Sequence, residues 1–145
     1  HMQMLPVGRA ELRRQGGSGL ALLAFRTMLT PGLAVGESLD ATVVNMRFVK
    51  PLDDERIVAL AAQHRAFVTL EENVVAGGGG SAVLECLQRS GYALPVLQLG
   101  VPDAFIEHGS REDNLAAAGL NAASLASVIE RFWRRHALPR ALPAG

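Results

Sequence analysis

Residues 20–25 read Leu-Ala-Leu-Leu-Ala-Phe, a continuous apolar run with the length of a β-strand. Such a run predicts a strand that is covered on both faces, because a half-exposed strand would alternate apolar and polar residues. Further runs follow at residues 41–46, 66–70 and 95–99. Fully buried strands are typical of a parallel sheet with helices packed on both sides.

The segments between these runs have helical features. Residues 33–39 follow Thr30-Pro31, a capping residue and a proline suited to a helix start. Acidic residues 53–55 precede a second helical pattern, and residues 77–80 lead into a third. Another short helix is predicted over 111–118. A last helix, capped by Asn121, carries apolar residues at helical spacing: Leu125, Val128, Ile129, Phe132 and Trp133. We expect most of these five residues to lie in the core.

The alternation of strands and helices predicts a three-layer α/β/α domain with a mixed, mostly parallel sheet. Residues 7–14 are predicted to form a hairpin with residues 20–25 across Gln15-Gly16-Gly17-Ser18, which makes the first strand antiparallel. His1-Met2 is interpreted as the remnant of an expression tag. The domain is expected to span residues 3–136, and residues 137–145, with two prolines, are expected to be a flexible tail.

Composition excludes several classes of function. Fourteen Lys and Arg residues balance fourteen Asp and Glu residues, which argues against binding to nucleic acid or to an acidic membrane surface. No apolar run reaches the roughly 18 residues of a membrane helix, and no secretory signal is recognised. Cys86 is the only cysteine, so neither an intrachain disulfide nor a cysteine-based zinc site is expected, and a reducing cytoplasm is favoured.

The carboxyl ends of parallel strands are where ligands meet such a sheet, and three motifs are predicted to lie there. In the first, Arg47 and Lys50 follow a strand, and an arginine at this place suits a phosphate or carboxylate. The alternative is an ordinary surface ion pair of Arg47.

The second motif is Glu71-Glu72, for which we favour one solvated carboxylate and one bonded to backbone or to an arginine. The third is the glycine run 77–80 before Ser81. This run is interpreted either as an anion cradle at a helix start or as a loop needing positive φ and close packing.

No complete catalytic constellation is apparent. The histidines at 64, 108 and 136 have no metal-ligand spacing, His64 suits the end of a helix as a cation, and Cys86 lies among apolar residues as a core residue would. The residues alone therefore predict an edge of the sheet that suits an anion, without a complete catalytic or metal-binding set.

Four motifs in order add a family resemblance: Met46-Arg47-Phe48-Val49-Lys50-Pro51-Leu52-Asp53, then residues 69–73, 77–83 and 99–109. Together they resemble the C-terminal domain of 1-deoxy-D-xylulose-5-phosphate synthases, in the transketolase-like superfamily. The resemblance covers residues 5–133. Alternatives are the equivalent domain of a transketolase or of a 2-oxo-acid dehydrogenase β-subunit, which the first motif disfavours, and a stand-alone assembly module with this fold.

The resemblance implies a thiamine diphosphate- and Mg²⁺-dependent transferase that decarboxylates pyruvate and joins the two-carbon unit to glyceraldehyde 3-phosphate. Its product serves isoprenoid synthesis by the methylerythritol phosphate route, and thiamine and pyridoxal synthesis. The resemblance also implies that the missing N-terminal and middle domains hold the cofactor and metal. No catalytic, metal-binding or cofactor-binding residue is therefore expected in this chain. It implies a cytoplasmic, bacterial homodimer, and this chain alone is expected to be inactive.

By the same resemblance, Arg47 is the residue that helps hold the phosphate of the acceptor substrate. Three positions depart from the family's usual pattern. Gly79 stands where alanine is usual, Arg26 where glycine or another small residue is common, and Asn45 where aspartate is common. Asn45 is expected to be near enough to Arg47 to affect its orientation.

Overall fold

The computed structural model describes residues 8–72, 78–101 and 122–136. The strands in these ranges are β1 (Glu11–Arg14), β2 (Leu20–Ala24), β3 (Thr42–Asn45), β4 (Ala66–Glu72) and β5 (Val96–Val101). The helices are α1 (Leu29–Leu39), α2 (Asp54–Gln63), α3 (Gly79–Arg89) and α4 (Ala122–His136), with a 3-10 turn at Arg26–Met28. The helix predicted over 111–118 and the cap at Asn121 lie outside the described residues.

The strands form one mixed sheet in the order β1-β3-β2-β4-β5. Strands β3, β2, β4 and β5 are parallel, and β1 runs antiparallel to β3. The predicted sheet with an antiparallel first strand is confirmed.

The predicted hairpin between the first two strands is wrong. β1 pairs with β3, in a register that places Glu11 opposite Asn45. Both edges of β2 are already occupied, since Leu22 pairs with Val43 on one side and with Val68 on the other. The physical reason is burial, because the fully buried β2 belongs at the centre whereas the charged β1 suits an edge.

Helices cover both faces of the sheet. Leu22 faces a cluster that includes Val35 of α1 with Leu125, Ile129 and Trp133 of α4. The opposite face carries a second cluster, with Ala21, Leu23 and Phe67 from the strands, Ile57 and Leu60 from α2, and Val83, Cys86 and Leu87 from α3. The three-layer α/β/α architecture is therefore confirmed, and most of the apolar face of α4 is core as expected.

The first helix begins four residues before its predicted start. The 3-10 turn runs directly into α1, so Leu29 is already helical and Met28 is the N-cap residue without a side-chain cap bond. Pro31 lies within the first turn, where its missing N–H costs no helical hydrogen bond. In the described ranges, no helix is long and apolar enough to cross a bilayer.

Candidate functional site

The parallel strands end at one edge of the sheet, and the strand order reverses direction between β2 and β4. The chain passes from β2 to β3 on one side and then returns past β2 to form β4 and β5. In open α/β sheets, ligands bind at the carboxyl ends next to such a reversal. Here the Phe25 N–H donates to the Leu70 carbonyl at 2.9 Å, which extends the pairing beyond the end of β2.

Glu71 occupies the N-terminus of α3. Its carboxylate accepts hydrogen bonds from the backbone N–H groups of Gly79, at 2.7 Å, and Gly80, at 3.0 Å. The residue is 7% exposed. The anion at the start of this helix is thus a side chain of the same domain. The prediction that one of the two glutamates bonds to the backbone is confirmed. The other half of that prediction, a solvated carboxylate, is wrong, because Glu72 is half-buried and its Oε1 is buried.

The glycine run serves close packing. A Cβ on Gly79 would lie 2.6 Å from the Phe25 ring, and one on Gly78 would lie 2.8 Å from the Glu71 carboxylate. Gly78, Gly79 and Gly80 do not adopt positive φ, so that part of the prediction is wrong for these three residues. The start of α3 is therefore filled by Phe25 and Glu71 rather than open to a ligand.

Arg47 follows the end of β3 in a tight turn. The Phe48 N–H donates to the Met46 carbonyl at 2.6 Å, and the central residue, Arg47, has a φ of 62°. A three-residue turn with a left-handed central residue is strained for any side chain larger than glycine. The structure thus places Arg47 at the carboxyl edge, as predicted.

The guanidinium of Arg47 is directed towards β1. Its Nη1 donates to the Arg9 carbonyl at 3.2 Å, and its Cζ lies 4.9 Å from the centre of the Phe48 ring. The side chain is half-buried, whereas Lys50 is exposed. The charge is therefore held at a defined place by a backbone oxygen and an aromatic face.

Asp53, six residues after Arg47, links the start of α2 to the residues before β1 by hydrogen bonds. One carboxylate oxygen accepts the Arg56 N–H at 3.1 Å and caps α2, and the other accepts the Ala10 N–H at 2.7 Å. Arg9 pairs with Glu55 at 2.8 Å, and that hydrogen bond raises the pKa of Arg9. The acidic residues 53–55 indicate a helix start, but no local pattern indicates the bond between Asp53 and Ala10, because these residues are 43 positions apart.

The remaining candidates are structural. His64 is buried, with Nδ1 2.8 Å from the Leu60 carbonyl oxygen and Nε2 2.8 Å from Thr42 Oγ1. It does end α2, but its ring is held in a hydrogen-bond chain rather than presented as a surface cation. Cys86 is buried, and burial raises the pKa of its thiol. His136 is exposed at the end of α4, and His108 lies outside the described residues.

The residues of the described ranges do not fit a metal-diphosphate site. Within them, no group of three or more His, Cys, Asp or Glu side chains is arranged to hold a metal ion. The start of α3, which is the kind of place where a phosphate binds, holds Glu71.

The profile for the family described as "Transketolase, C-terminal domain" matches residues 8–125. This chain belongs to that family. The transketolase C-terminal domain described here is 58% identical over 130 residues to the 1-deoxy-D-xylulose-5-phosphate synthase of Methylobacillus flagellatus, covering 90% of the chain and 21% of the relative. It is 54% identical over 140 residues to the synthase of Methylibium petroleiphilum, and the match covers 94% of this chain and 22% of that relative. The resemblance to the C-terminal domain of these synthases is confirmed.

Among solved structures, the domain is similar to "Split gene transketolase, inactive beta4 tetramer". The TM-score is 0.74 at 32% sequence identity, and the match covers 88% of this chain and 43% of the other. The domain spans about a fifth of the length of the synthases to which it is similar.

Two departures from the usual family pattern have local consequences in this domain. Arg26 has a φ of 55°, the left-handed conformation in which glycine is favoured. Asn45 pairs with Glu11 across β1 and β3, where an aspartate would bring two carboxylates opposite each other.

Proposed function

We propose that this chain is the C-terminal domain of a synthase that makes 1-deoxy-D-xylulose 5-phosphate from pyruvate and glyceraldehyde 3-phosphate. The observation that carries the proposal is the 58% identity to such a synthase over 90% of the chain. The product would feed isoprenoid, thiamine and pyridoxal synthesis. The domain boundaries proposed from the sequence, residues 3–136 with a flexible tail at 137–145, belong to the same proposal.

In this proposal, thiamine diphosphate and Mg²⁺ are bound by the N-terminal and middle domains of the same protein. This division of labour rests on the similarity to the synthases, of whose length this chain spans about a fifth. The structurally similar transketolase β chain is described as an inactive tetramer. By analogy, the 145-residue chain alone has no synthase activity. In the full-length synthase, its domain contributes to the packing of a cytoplasmic, bacterial homodimer.

Within that enzyme, Arg47 holds the phosphate of glyceraldehyde 3-phosphate. Three observations support this role: the residue lies at the carboxyl edge of β3, its backbone is held in a strained turn, and its guanidinium rests against the Arg9 carbonyl and the Phe48 ring. Strain of this kind is concentrated at functional sites. A guanidinium offers five N–H donors in a planar fork, which suits a phosphate.

The test compares two acceptors in the full-length synthase that contains this chain. Arg47→Ala is expected to raise the KM for glyceraldehyde 3-phosphate by roughly 10- to 100-fold, the loss of one hydrogen-bonded charge pair. The KM for unphosphorylated glyceraldehyde is expected to stay the same. Arg14→Ala is the matched control. The Arg14 guanidinium also donates to a backbone carbonyl, that of Ala41 at 2.9 Å, but Ala41 lies at the amino ends of the parallel strands, away from Arg47. If Arg47→Ala and the parent enzyme have the same KM for glyceraldehyde 3-phosphate, Arg47 does not bind the phosphate.

A second candidate is the equivalent domain of a transketolase, which the similar solved structure favours. The donor substrate separates the two functions. A synthase consumes pyruvate and releases carbon dioxide, whereas a transketolase transfers a two-carbon unit from a ketose phosphate without decarboxylation. Turnover of the full-length protein with a ketose phosphate but not with pyruvate would replace our proposal by this one.

A further inference from the structure

The peptide unit between Arg9 and Ala10 lies between two opposite charges. Its carbonyl accepts a hydrogen bond from Arg47 Nη1 at 3.2 Å, and its N–H donates to Asp53 Oδ2 at 2.7 Å. The oxygen is the negative end of a peptide dipole and the N–H is the positive end. A cation at the first and an anion at the second therefore both stabilise this orientation of the peptide plane.

Asp53 is itself held firmly. It is 6% exposed, and its other carboxylate oxygen caps α2 by accepting the Arg56 N–H. A buried carboxylate needs such donors, because burial without them is strongly unfavourable. The chain before Arg9 is also confined, since a Cβ on Gly8 would lie 2.8 Å from Pro51 Cγ. The peptide unit whose carbonyl accepts the hydrogen bond from Arg47 is thus held against the start of helix α2 through Asp53.

We propose that Asp53 is a positioning residue for Arg47. Through the Arg9–Ala10 peptide, it fixes the carbonyl oxygen that orients the guanidinium towards the phosphate of the acceptor substrate. The inference rests on the phosphate role proposed above for Arg47. Without the carboxylate, the Ala10 N–H loses its acceptor and the Arg9 carbonyl is no longer fixed. Arg47 then loses one of the contacts that orient its guanidinium.

The first test is a direct observation of Arg47 in the 145-residue chain by nuclear magnetic resonance. Asp53→Asn keeps one oxygen to cap α2 but has no second acceptor for Ala10. We expect the Ala10 amide and the Arg47 Nε–H signals to shift. The matched control is Asp54→Asn, which removes the same charge one residue later on an exposed side chain. An unchanged Arg47 signal in Asp53→Asn would overturn the inference.

The second test uses the full-length synthase. Asp53→Asn is expected to raise the KM for glyceraldehyde 3-phosphate by about three- to tenfold, less than the removal of Arg47 itself. The kcat and the KM for unphosphorylated glyceraldehyde are expected to stay within about twofold of the parent values, as for Asp54→Asn.

The outcomes separate this inference from the proposed function. A helix cap alone would lower Tm and the amount of active enzyme but leave both KM values unchanged, and that result would refute positioning. If Arg47→Ala leaves the KM unchanged while Asp53→Asn shifts the Arg47 signal, the phosphate role fails and the orientation of Arg47 by Asp53 stands.

Discussion

At the scale of single residues, the ring of Phe25 occupies the space that an alanine methyl group would fill at position 79. Ring atoms lie 2.6–2.8 Å from an ideal Cβ on Gly79, and Phe25 is 2% exposed, so the ring has little room to move. The departure from the usual alanine is therefore explained by a neighbour 54 positions away.

We predict that Gly79→Ala lowers the free energy of unfolding by about 1–3 kcal/mol, the usual cost of overpacking a core. In a background with Phe25→Leu, the same change is expected to cost less, because the shorter side chain vacates the ring position. Urea unfolding of the four proteins in this double-mutant cycle measures the coupling. A zero coupling energy would show that the Phe25 ring does not restrict position 79.

Arg26 gives a second prediction at this scale. Its φ of 55° costs a residue with a Cβ about 1–2 kcal/mol, and glycine avoids that cost but gains freedom in the unfolded chain. Arg26→Gly is therefore expected to raise the free energy of unfolding by up to about 1 kcal/mol. Arg13→Gly, in an extended strand, should lower it. A loss of stability in both variants, measured by thermal unfolding, would contradict this account.

At the scale of elements, Glu71 ties the end of β4 to the start of α3. The first four N–H groups of a helix have no partner within the helix, and here one carboxylate accepts hydrogen bonds from two of them. The same bonds give a buried carboxylate the donors that it requires. The strand and the helix are therefore joined by a contact that bypasses residues 73–77.

We predict that Glu71→Gln lowers the free energy of unfolding by about 1–3 kcal/mol, because the amide offers one oxygen to two donors and turns its NH₂ group against an N–H. Amides in the first turn of α3 should exchange hydrogen faster. Glu85→Gln, on the exposed face of the same helix, is the control and should change neither quantity. Unaltered exchange in Glu71→Gln would mean that the carboxylate does not hold the helix start.

At the scale of the whole molecule, Cys86 reports global unfolding. Its thiol is buried in the cluster between the sheet and helices α2 and α3, and burial raises the pKa of the thiol. The unfolded chain has the ordinary thiol pKa of about 8.5. Above that pH the unfolded state loses a proton that the folded state keeps, so stability falls as pH rises.

We therefore predict that the free energy of unfolding declines as the pH rises above about 8, with a slope of at most about 1.4 kcal/mol per pH unit from this group. In Cys86→Ala the slope should be smaller, although the protein is less stable at every pH because a buried sulfur has been removed. Denaturant titrations at a series of pH values measure the free energy of unfolding and its pH dependence for the two proteins. Parallel pH curves for the two proteins would exclude the thiol as the source.

Local patterns in the amino-acid sequence are enough to predict the strands, the helices and the α/β class of the fold. Continuous apolar runs specify buried strands, and the spacing of Ile57 and Leu60 specifies a helix, because these patterns depend on residues within one or two turns of each other. The family motifs, with Arg47 after a strand, are local in the same way.

The contacts between the elements depend instead on the packing of the whole domain. β1 pairs with β3 instead of β2, Glu71 accepts bonds from the start of α3, and Asp53 reaches Ala10 across 43 positions. The burial of both faces of β2 and the need of each buried carboxylate for donors select these contacts. Both requirements are met only when the whole chain is packed, so no local pattern encodes them.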